Sequence, residues 1–324
     1  MNIVIAPDSF KETVTAQDVA RTIEKGFKKV FKDASFLNVP LADGGEGTVE
    51  AMVSATNGKI IKVKVLDPLQ REIEAYYGLT DDNTAIIEMA TASGLELLKE
   101  EEKNPMETTS FGFGQLINHA LENGVKNFVL GLGGSATNDC GIGMLQALGV
   151  KFFDEDQKEL PIVGAKYIND IKSFDSSALN DKFKDVNIQV ACDVKNPLCG
   201  LNGASFVFGK QKGANEDMIK VLDDSILNFA KLCKIKFERD TKDIEGCGAA
   251  GGLGFALITF VNASLQSGID IVMQKVGLEE HIKNASLVIT GEGRIDNQTV
   301  NGKTPIGVAK LAKKYNKKVI AICG

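Results

Sequence analysis

Asn127-Phe128-Val129-Leu130 runs directly into Gly131-Leu132-Gly133-Gly134-Ser135-Ala136-Thr137-Asn138-Asp139. The apolar stretch is too short for a buried helix and suits a buried strand. The stretch after it is a tight turn whose glycines keep the backbone bare, and a helical segment follows. The same phrase recurs four times. Asn2–Ala6 leads into Pro7-Asp8-Ser9-Phe10-Lys11, and Phe36–Pro40 into Ala42-Asp43-Gly44-Gly45-Glu46-Gly47-Thr48. Asn187–Ala191 leads into Cys192-Asp193-Val194-Lys195-Asn196-Pro197, and Ser286–Thr290 into Gly291-Glu292-Gly293-Arg294-Ile295-Asp296. Strand, turn and helix repeated in this way predict an α/β fold: a parallel sheet with helices on both faces. Ligands of such sheets bind beyond the carboxyl ends of the strands, where these turns lie.

The rhythm breaks between Lys59 and Glu88. Three β-rich runs, 59–66, 72–78 and 84–89, follow one another across the turns Asp67-Pro68 and Asp81-Asp82-Asn83. They predict an antiparallel meander and hence a second α/β domain that contains antiparallel structure. The expected division is a discontinuous Rossmann-like domain, 1–65 plus 280–324, and a second domain, 66–279, with the active site in the cleft between them. In the first domain a helix should start at Thr15, with Asp18 as capping partner. Val19, Ile23, Phe27, Val30 and Phe31 would form its buried stripe. At the other end, Ile320 and Ile322 alternate with Ala321 and Cys323 without a polar break. That pattern predicts a strand buried on both faces, with covering chain beyond Gly324.

Composition narrows the function. The 324 residues carry 37 basic and 43 acidic side chains, a net charge of −6, without a long basic run, which argues against nucleic-acid binding. No apolar run reaches the ~18 residues of a membrane span, and Met1–Pro7 lacks the basic start of a signal peptide. The six cysteines (140, 192, 199, 233, 247, 323) form no C-x-x-C pair. Free thiols in the cytoplasm are the expectation.

In the 131–139 turn, backbone N–H groups at Gly133 and Gly134 could meet phosphate oxygens, with Ser135, Thr137 and Asn138 as side-chain partners. Gly131-x-Gly133-x-x-Ala136 also matches a dinucleotide fingerprint, with Asp154 where a ribose-binding acid would stand. A dehydrogenase is therefore one alternative, and a non-catalytic small-anion-binding protein another. A second glycine cluster (Gly246, Gly248, Gly251, Gly252, Gly254) fits either close backbone packing or approach to a ligand. Gly302-Lys303-Thr304 resembles the end of a Walker A loop, but Asn297 stands where that loop needs glycine.

Asp8, Asp43, Asp193 and Asp296 each follow a predicted strand and are expected to converge on one sheet edge. Taken singly, each suits a turn or a helix cap. Together they suit phosphoryl transfer, which needs a carboxylate near the acceptor hydroxyl and oxygen ligands for Mg²⁺. Lys11, Arg294 and Lys303 are the cations within turn motifs. His119, in a helix over 108–123, and His281 read as structural, and no Ser-His-Asp pattern appears.

Taken together, these blocks resemble the type I glycerate kinase family over essentially the whole chain. The resemblance rests on Pro7–Lys11, Ala42–Thr48, the 131–139 turn, Ala191–Pro197, Gly248–Gly254 and Thr290–Pro305. It implies two α/β domains and an enzyme that phosphorylates D-glycerate with ATP and Mg²⁺, with 2-phosphoglycerate favoured as product. Asp193, Asp296 and Asp43 would be the catalytic acids, Asp193 and Asp296 also the metal ligands. Asp8, Ser9, Lys11, Gly133, Gly134, Ser135, Thr137, Asn138, Arg294 and Lys303 would bind substrate or phosphate. A homodimer is left open. Cys140, Glu245 and Cys247 depart from the family pattern.

Overall fold

A computed structural model of the chain describes residues 1–10, 13–162, 164–295 and 303–324. Lys11 and Asp296, two of the expected site residues, lie outside the described residues. The elements run β1 (Asn2–Ile5), α1 (Ala16–Lys28), β2 (Ser35–Asn38), α2 (Thr48–Ala55), β3 (Lys59–Leu66), β4 (Glu72–Leu79), β5 (Thr84–Glu88), α3 (Ala90–Ser93), α4 (Phe111–Glu122) and β6 (Asn127–Gly131). There follow α5 (Ile142–Ala147), β7 (Lys151–Phe153), β8 (Ser173–Asp175), α6 (Ala178–Lys182), β9 (Asn187–Ala191), α7 (Ala204–Phe208), α8 (Glu216–Phe237) and α9 (Ala249–Val261). The last are β10 (Ser264–Gln266), α10 (Gly268–Lys275), α11 (Leu278–Lys283), β11 (Leu287–Glu292), α12 (Thr304–Lys314) and β12 (Lys318–Cys323).

The chain forms two compact units. One comprises Met1–Lys59, Gly78–Asp81 and Gln266–Gly324, the other Ile60–Tyr77 and Asp82–Leu265. The first unit holds a four-stranded sheet in the order β12-β11-β1-β2, parallel throughout. Its core joins Ile3 and Ile5 of β1 to Leu287 and Ile289 of β11, under Val19, Ala20 and Ile23 of α1. Thr15 caps α1 as its sequence requires, its hydroxyl oxygen accepting from the Asp18 N–H at 3.2 Å.

One expectation fails here. Helix α1 ends at Lys28, so Val30, 75% exposed, and Phe31, 37% exposed, fall outside the buried stripe. The helical spacing simply runs on past the last helical turn. Strand β12 pairs with β11 among the described strands, and Ile320 is 41% exposed.

The second unit carries the sheet ordered β10-β9-β6-β5-β4-β3. Strands β5, β6 and β9 pair in parallel. Strands β3, β4 and β5 are sheet neighbours in sequence order, joined by short turns that only antiparallel strands permit. Every residue of β5 is buried, so this run reads as apolar without alternation. A separate antiparallel pair, β7 and β8, supplies Phe152 and Phe174 to an aromatic cluster with Phe229, Phe237, Phe255 and Phe260. Burial of Phe152, Phe174, Phe229 and Phe255 contributes roughly 1.5–3 kcal/mol per ring and ties α8 and α9 to this strand pair.

Candidate functional site

In the second unit the chain leaves β6 at Gly131 and turns at Gly133 and Gly134, both exposed, with Gly134 left-handed at φ +71°. It then goes inward. Ser135 is 8% exposed, and Thr137, Asn138 and Asp139 are fully buried. The turn is held from several sides. Ala136 N–H donates to the Ser93 carbonyl at 2.9 Å and Leu95 N–H to the Gly134 carbonyl at 2.8 Å. The Asn138 amide donates to Ser205 Oγ at 2.9 Å.

Asp139 alters the expected chemistry of this turn. Its carboxylate accepts from Ser110 N–H and Ser110 Oγ, both at 2.8 Å, and from the Gly141 and Gly143 N–H groups, both at 3.2 Å. The amides that open α5 thus serve the protein's own carboxylate, and an incoming anion is left the exposed Gly133–Gly134 backbone and Ser135. Burial pushes the Asp139 carboxyl above the usual carboxylate range, against the pull of these donors. Thr137 and Asn138 face the interior, where Thr137 Oγ1 and Asn138 Oδ1 are buried without a hydrogen-bond partner among the described residues.

The second glycine cluster packs against the same turn. Helix α9 is interrupted by three left-handed residues, Ala250 (φ 51°), Gly251 (φ 66°) and Gly252 (φ 91°). A Cβ on Gly251 would stand 2.1 Å from the Thr137 carbonyl oxygen and 2.5 Å from Asn138 Cα. The Gly251 carbonyl accepts from Cys140 N–H at 3.0 Å. Between the two readings of this cluster, close backbone approach is the one observed at Gly251.

A lysine completes the arrangement, and sequence reasoning missed it. Lys212 sits at the end of a 3-10 turn over Lys210–Lys212 and is 1% exposed. Its Nζ donates to Ser135 Oγ at 2.8 Å and to the Thr137 carbonyl at 2.6 Å. Burial pulls its pKa down to about 7, while the Asp139 charge acts in the opposite direction. One of many lysines on a charged chain gives no sign of burial; only the flanking Gly209 and Gly213 hinted at a constrained turn.

In the first unit Asp8 and Asp43 stand beyond β1 and β2, which are parallel neighbours. Asp8 is buried. Its Oδ2 accepts from Thr304 Oγ1 at 2.6 Å and its Oδ1 from Ser9 N–H at 2.7 Å, which ties the first turn to the start of α12. Asp43 is half-buried, and its Oδ1 accepts from Gly45 N–H at 3.1 Å in an Asx turn. Lys303 is the N-cap residue of α12, and Arg294 is exposed beyond β11. Asp193, exposed, follows β9 and so belongs to the other sheet. The expected convergence of the acids on a single sheet edge therefore does not occur: Asp8 and Asp43 share one sheet, Asp193 another. Short apolar runs identify strands but not the sheet they join.

The dinucleotide alternative fares poorly on geometry. Asp154 follows β7, which pairs only with β8 among the described strands, and its carboxylate closes a local turn by accepting from Asp156 and Lys158 N–H. It is not at the end of a strand beside β6, where a ribose-binding acid belongs. Among the described residues no helix is long and apolar enough to cross a membrane.

Comparison with known proteins agrees with this geometry. The family model described as the glycerate kinase family matches residues 3–324. The chain is 53% identical over 325 residues to the glycerate 2-kinase of Escherichia coli K12, covering 100% of this chain and 85% of that protein. It is 51% identical to the glycerate kinase of Haemophilus influenzae, covering 100% of this chain and 86% of that protein. A crystal structure of the Salmonella typhimurium LT2 protein assigned as glycerate kinase 2 superposes with a TM-score of 0.95 at 51% identity, over 100% of this chain and 87% of that one. The chain belongs to the glycerate kinase family.

Proposed function

We propose that this protein is a type I glycerate kinase that transfers the γ-phosphate of ATP to a hydroxyl of D-glycerate, giving 2-phosphoglycerate and ADP. The observation that carries the reading is kinship along the entire chain, at 53% identity, with a protein named glycerate 2-kinase. The exposed Gly133–Gly134 backbone and Ser135 supply donors suited to phosphate oxygens. Phosphoryl transfer asks little covalent chemistry of the protein, so such donors, a base and a cation account for most of what is needed.

The acids remain the proposed reactive groups, with Asp193, Asp296 and Asp43 serving the acceptor hydroxyl and the cation. Among the described residues no group of three or more His, Cys, Asp or Glu is arranged to hold a metal. Mg²⁺ that travels with a nucleotide asks for only one or two carboxylates, the rest of its oxygens coming from phosphate and water. The exposed carboxylate of Asp193 fits that demand, with Asp296 as its proposed companion. Mg²⁺ bound there would neutralise charge on the phosphates. Arg294, Lys11 and Lys303 are the proposed partners of the glycerate carboxylate or of phosphate, whereas Asp8 and Ser9 shape the first turn.

The test is ADP release dependent on D-glycerate, followed by ³¹P NMR of the product. Formation of 2-phosphoglycerate is expected. Formation of 3-phosphoglycerate would overturn the proposed regiochemistry. Absence of glycerate-dependent turnover together with tight NADH binding would overturn the kinase reading.

A further inference from the structure

The ammonium of Lys212 is an expensive thing to bury. It is 1% exposed and, among the described residues, has no carboxylate within ion-pair distance, although the buried Asp139 charge favours its protonated form. A buried charge without a paired carboxylate is heavily penalised, and an apolar side chain would fill the same volume without that penalty. Two of its three protons are committed, one to Ser135 Oγ at 2.8 Å and one to the Thr137 carbonyl at 2.6 Å. Both acceptors belong to the exposed glycine turn.

The direction of the first bond matters. A serine hydroxyl has one proton to give and two lone pairs to receive with. Ser135 Oγ receives from Lys212, so its own proton points away from the lysine. Among the described residues no acceptor takes that proton. Ser135 lies where the turn passes from the exposed Gly133–Gly134 segment to the buried Thr137–Asp139 segment. The hydroxyl therefore keeps a proton to donate beside the exposed glycines, and the charge behind it strengthens it as a donor. Among the described residues the same turn also leaves Thr137 Oγ1 and Asn138 Oδ1 buried without partners, so its polar groups do not all satisfy one another.

We propose that Lys212 is a positioning residue for nucleotide binding: it holds Ser135 Oγ from behind, so that the Ser135 hydroxyl donates to an oxygen of the ATP polyphosphate at the Gly133–Gly134 turn. The proposal rests on the reading that this turn meets phosphate. Lys212 itself touches no substrate and acts only through Ser135 and the Thr137 carbonyl. The depressed pKa of Lys212 agrees with a site completed by an anion, since a phosphate nearby would favour the protonated lysine.

A double-mutant cycle read by calorimetric titration with ADP–Mg²⁺ tests the relay. Ser135→Ala should weaken ADP binding by about tenfold to a hundredfold, the value of a charge-assisted hydrogen bond. Lys212→Met should weaken it to a similar degree and raise the KM for ATP, with the KM for glycerate unchanged. In the Ser135→Ala background, Lys212→Met should add little, because the path through Ser135 is already gone. If Lys212→Met lowers the melting temperature so far that the fold is in question, Lys212→Gln takes its place. The glutamine amide keeps an N–H donor, so a smaller loss is expected from this variant than from removal of the Ser135 hydroxyl. Unchanged ADP affinity in Ser135→Ala would remove the phosphate reading of the turn and the proposal with it. A loss in Ser135→Ala without one in Lys212→Met or Lys212→Gln, or fully additive losses, would overturn the relay alone.

Discussion

Replacing Gly251 by alanine tests whether the two glycine clusters are locked together by backbone contact. The added Cβ would meet the Thr137 carbonyl oxygen at 2.1 Å, Asn138 Cα at 2.5 Å and the Thr137 carbonyl carbon at 2.8 Å. These are main-chain atoms, so no side chain can swing aside to relieve the contact. Two penalties add. A left-handed conformation at φ +66° costs a non-glycine residue about 1–2 kcal/mol, and overpacking against a fixed wall costs about 1–3 more. The sum of about 2–5 kcal/mol, at roughly 2–4 °C per kcal/mol for a unit of this size, lowers the melting temperature by about 4–20 °C. Two controls separate the penalties. Gly47→Ala, at φ +86° with nothing within 4 Å of the new Cβ, should show only the conformational part, about 1–2 kcal/mol. Gly26→Ala, inside α1 with open space around it, should gain about 0.5–1 kcal/mol in helix propensity. Differential scanning calorimetry of the three variants, with ATP turnover measured alongside, decides the matter. If Gly251→Ala melts no lower than Gly47→Ala, the close approach is not there and the reasoning fails.

The remaining predictions concern charge. Asp→Asn at 193, 296 and 43 keeps shape while removing a base or a metal ligand, so kcat should fall by about 10²-fold or more with little change in melting temperature. Near wild-type turnover in all three variants would refute their assignment. Lys212 should leave a mark on the pH dependence of stability. Its pKa falls from 10.5 when unfolded to about 7 when folded, so between those values the unfolded chain binds more protons. Its burial penalty is fully present below pH ~7 and is relieved as pH rises towards ~10.5. Denaturant melts should therefore show wild type gaining stability relative to Lys212→Met across that window, and a constant difference would refute the shift.

Much of the scaffold was legible because its strands are short apolar runs closed by turn chemistry. β9 and β3 fall on the residues expected from Asn187–Ala191 and 59–66, and Thr15 caps α1 through the spacing to Asp18. What failed was information that pattern does not carry. Val30 and Phe31 continue the apolar period, yet the helix stops before them. In the candidate site, Gly133, Gly134 and Ser135 were legible as a turn that presents donors, while Thr137 and Asn138 proved to be interior. Asp139 was one more polar letter in a polar turn until its carboxylate was seen closing α5. Lys212 was invisible, since lysine is the residue least expected in a protein's interior.

The first unit's sheet has a temporal consequence. β1 pairs with β2, which follows it closely, but its other neighbour, β11, begins at Leu287. On a ribosome adding ~5–20 residues per second, β1 waits on the order of 15–60 s before that neighbour exists. Throughout the interval one row of its N–H and C=O groups has no ladder to join, the condition in which a strand recruits stray partners. Meanwhile every strand from β3 to β10 has already been synthesised. The nascent chain thus has to carry an unfinished sheet at its front while the interior of the sequence matures behind it, and β11 closes the work begun by the first few residues.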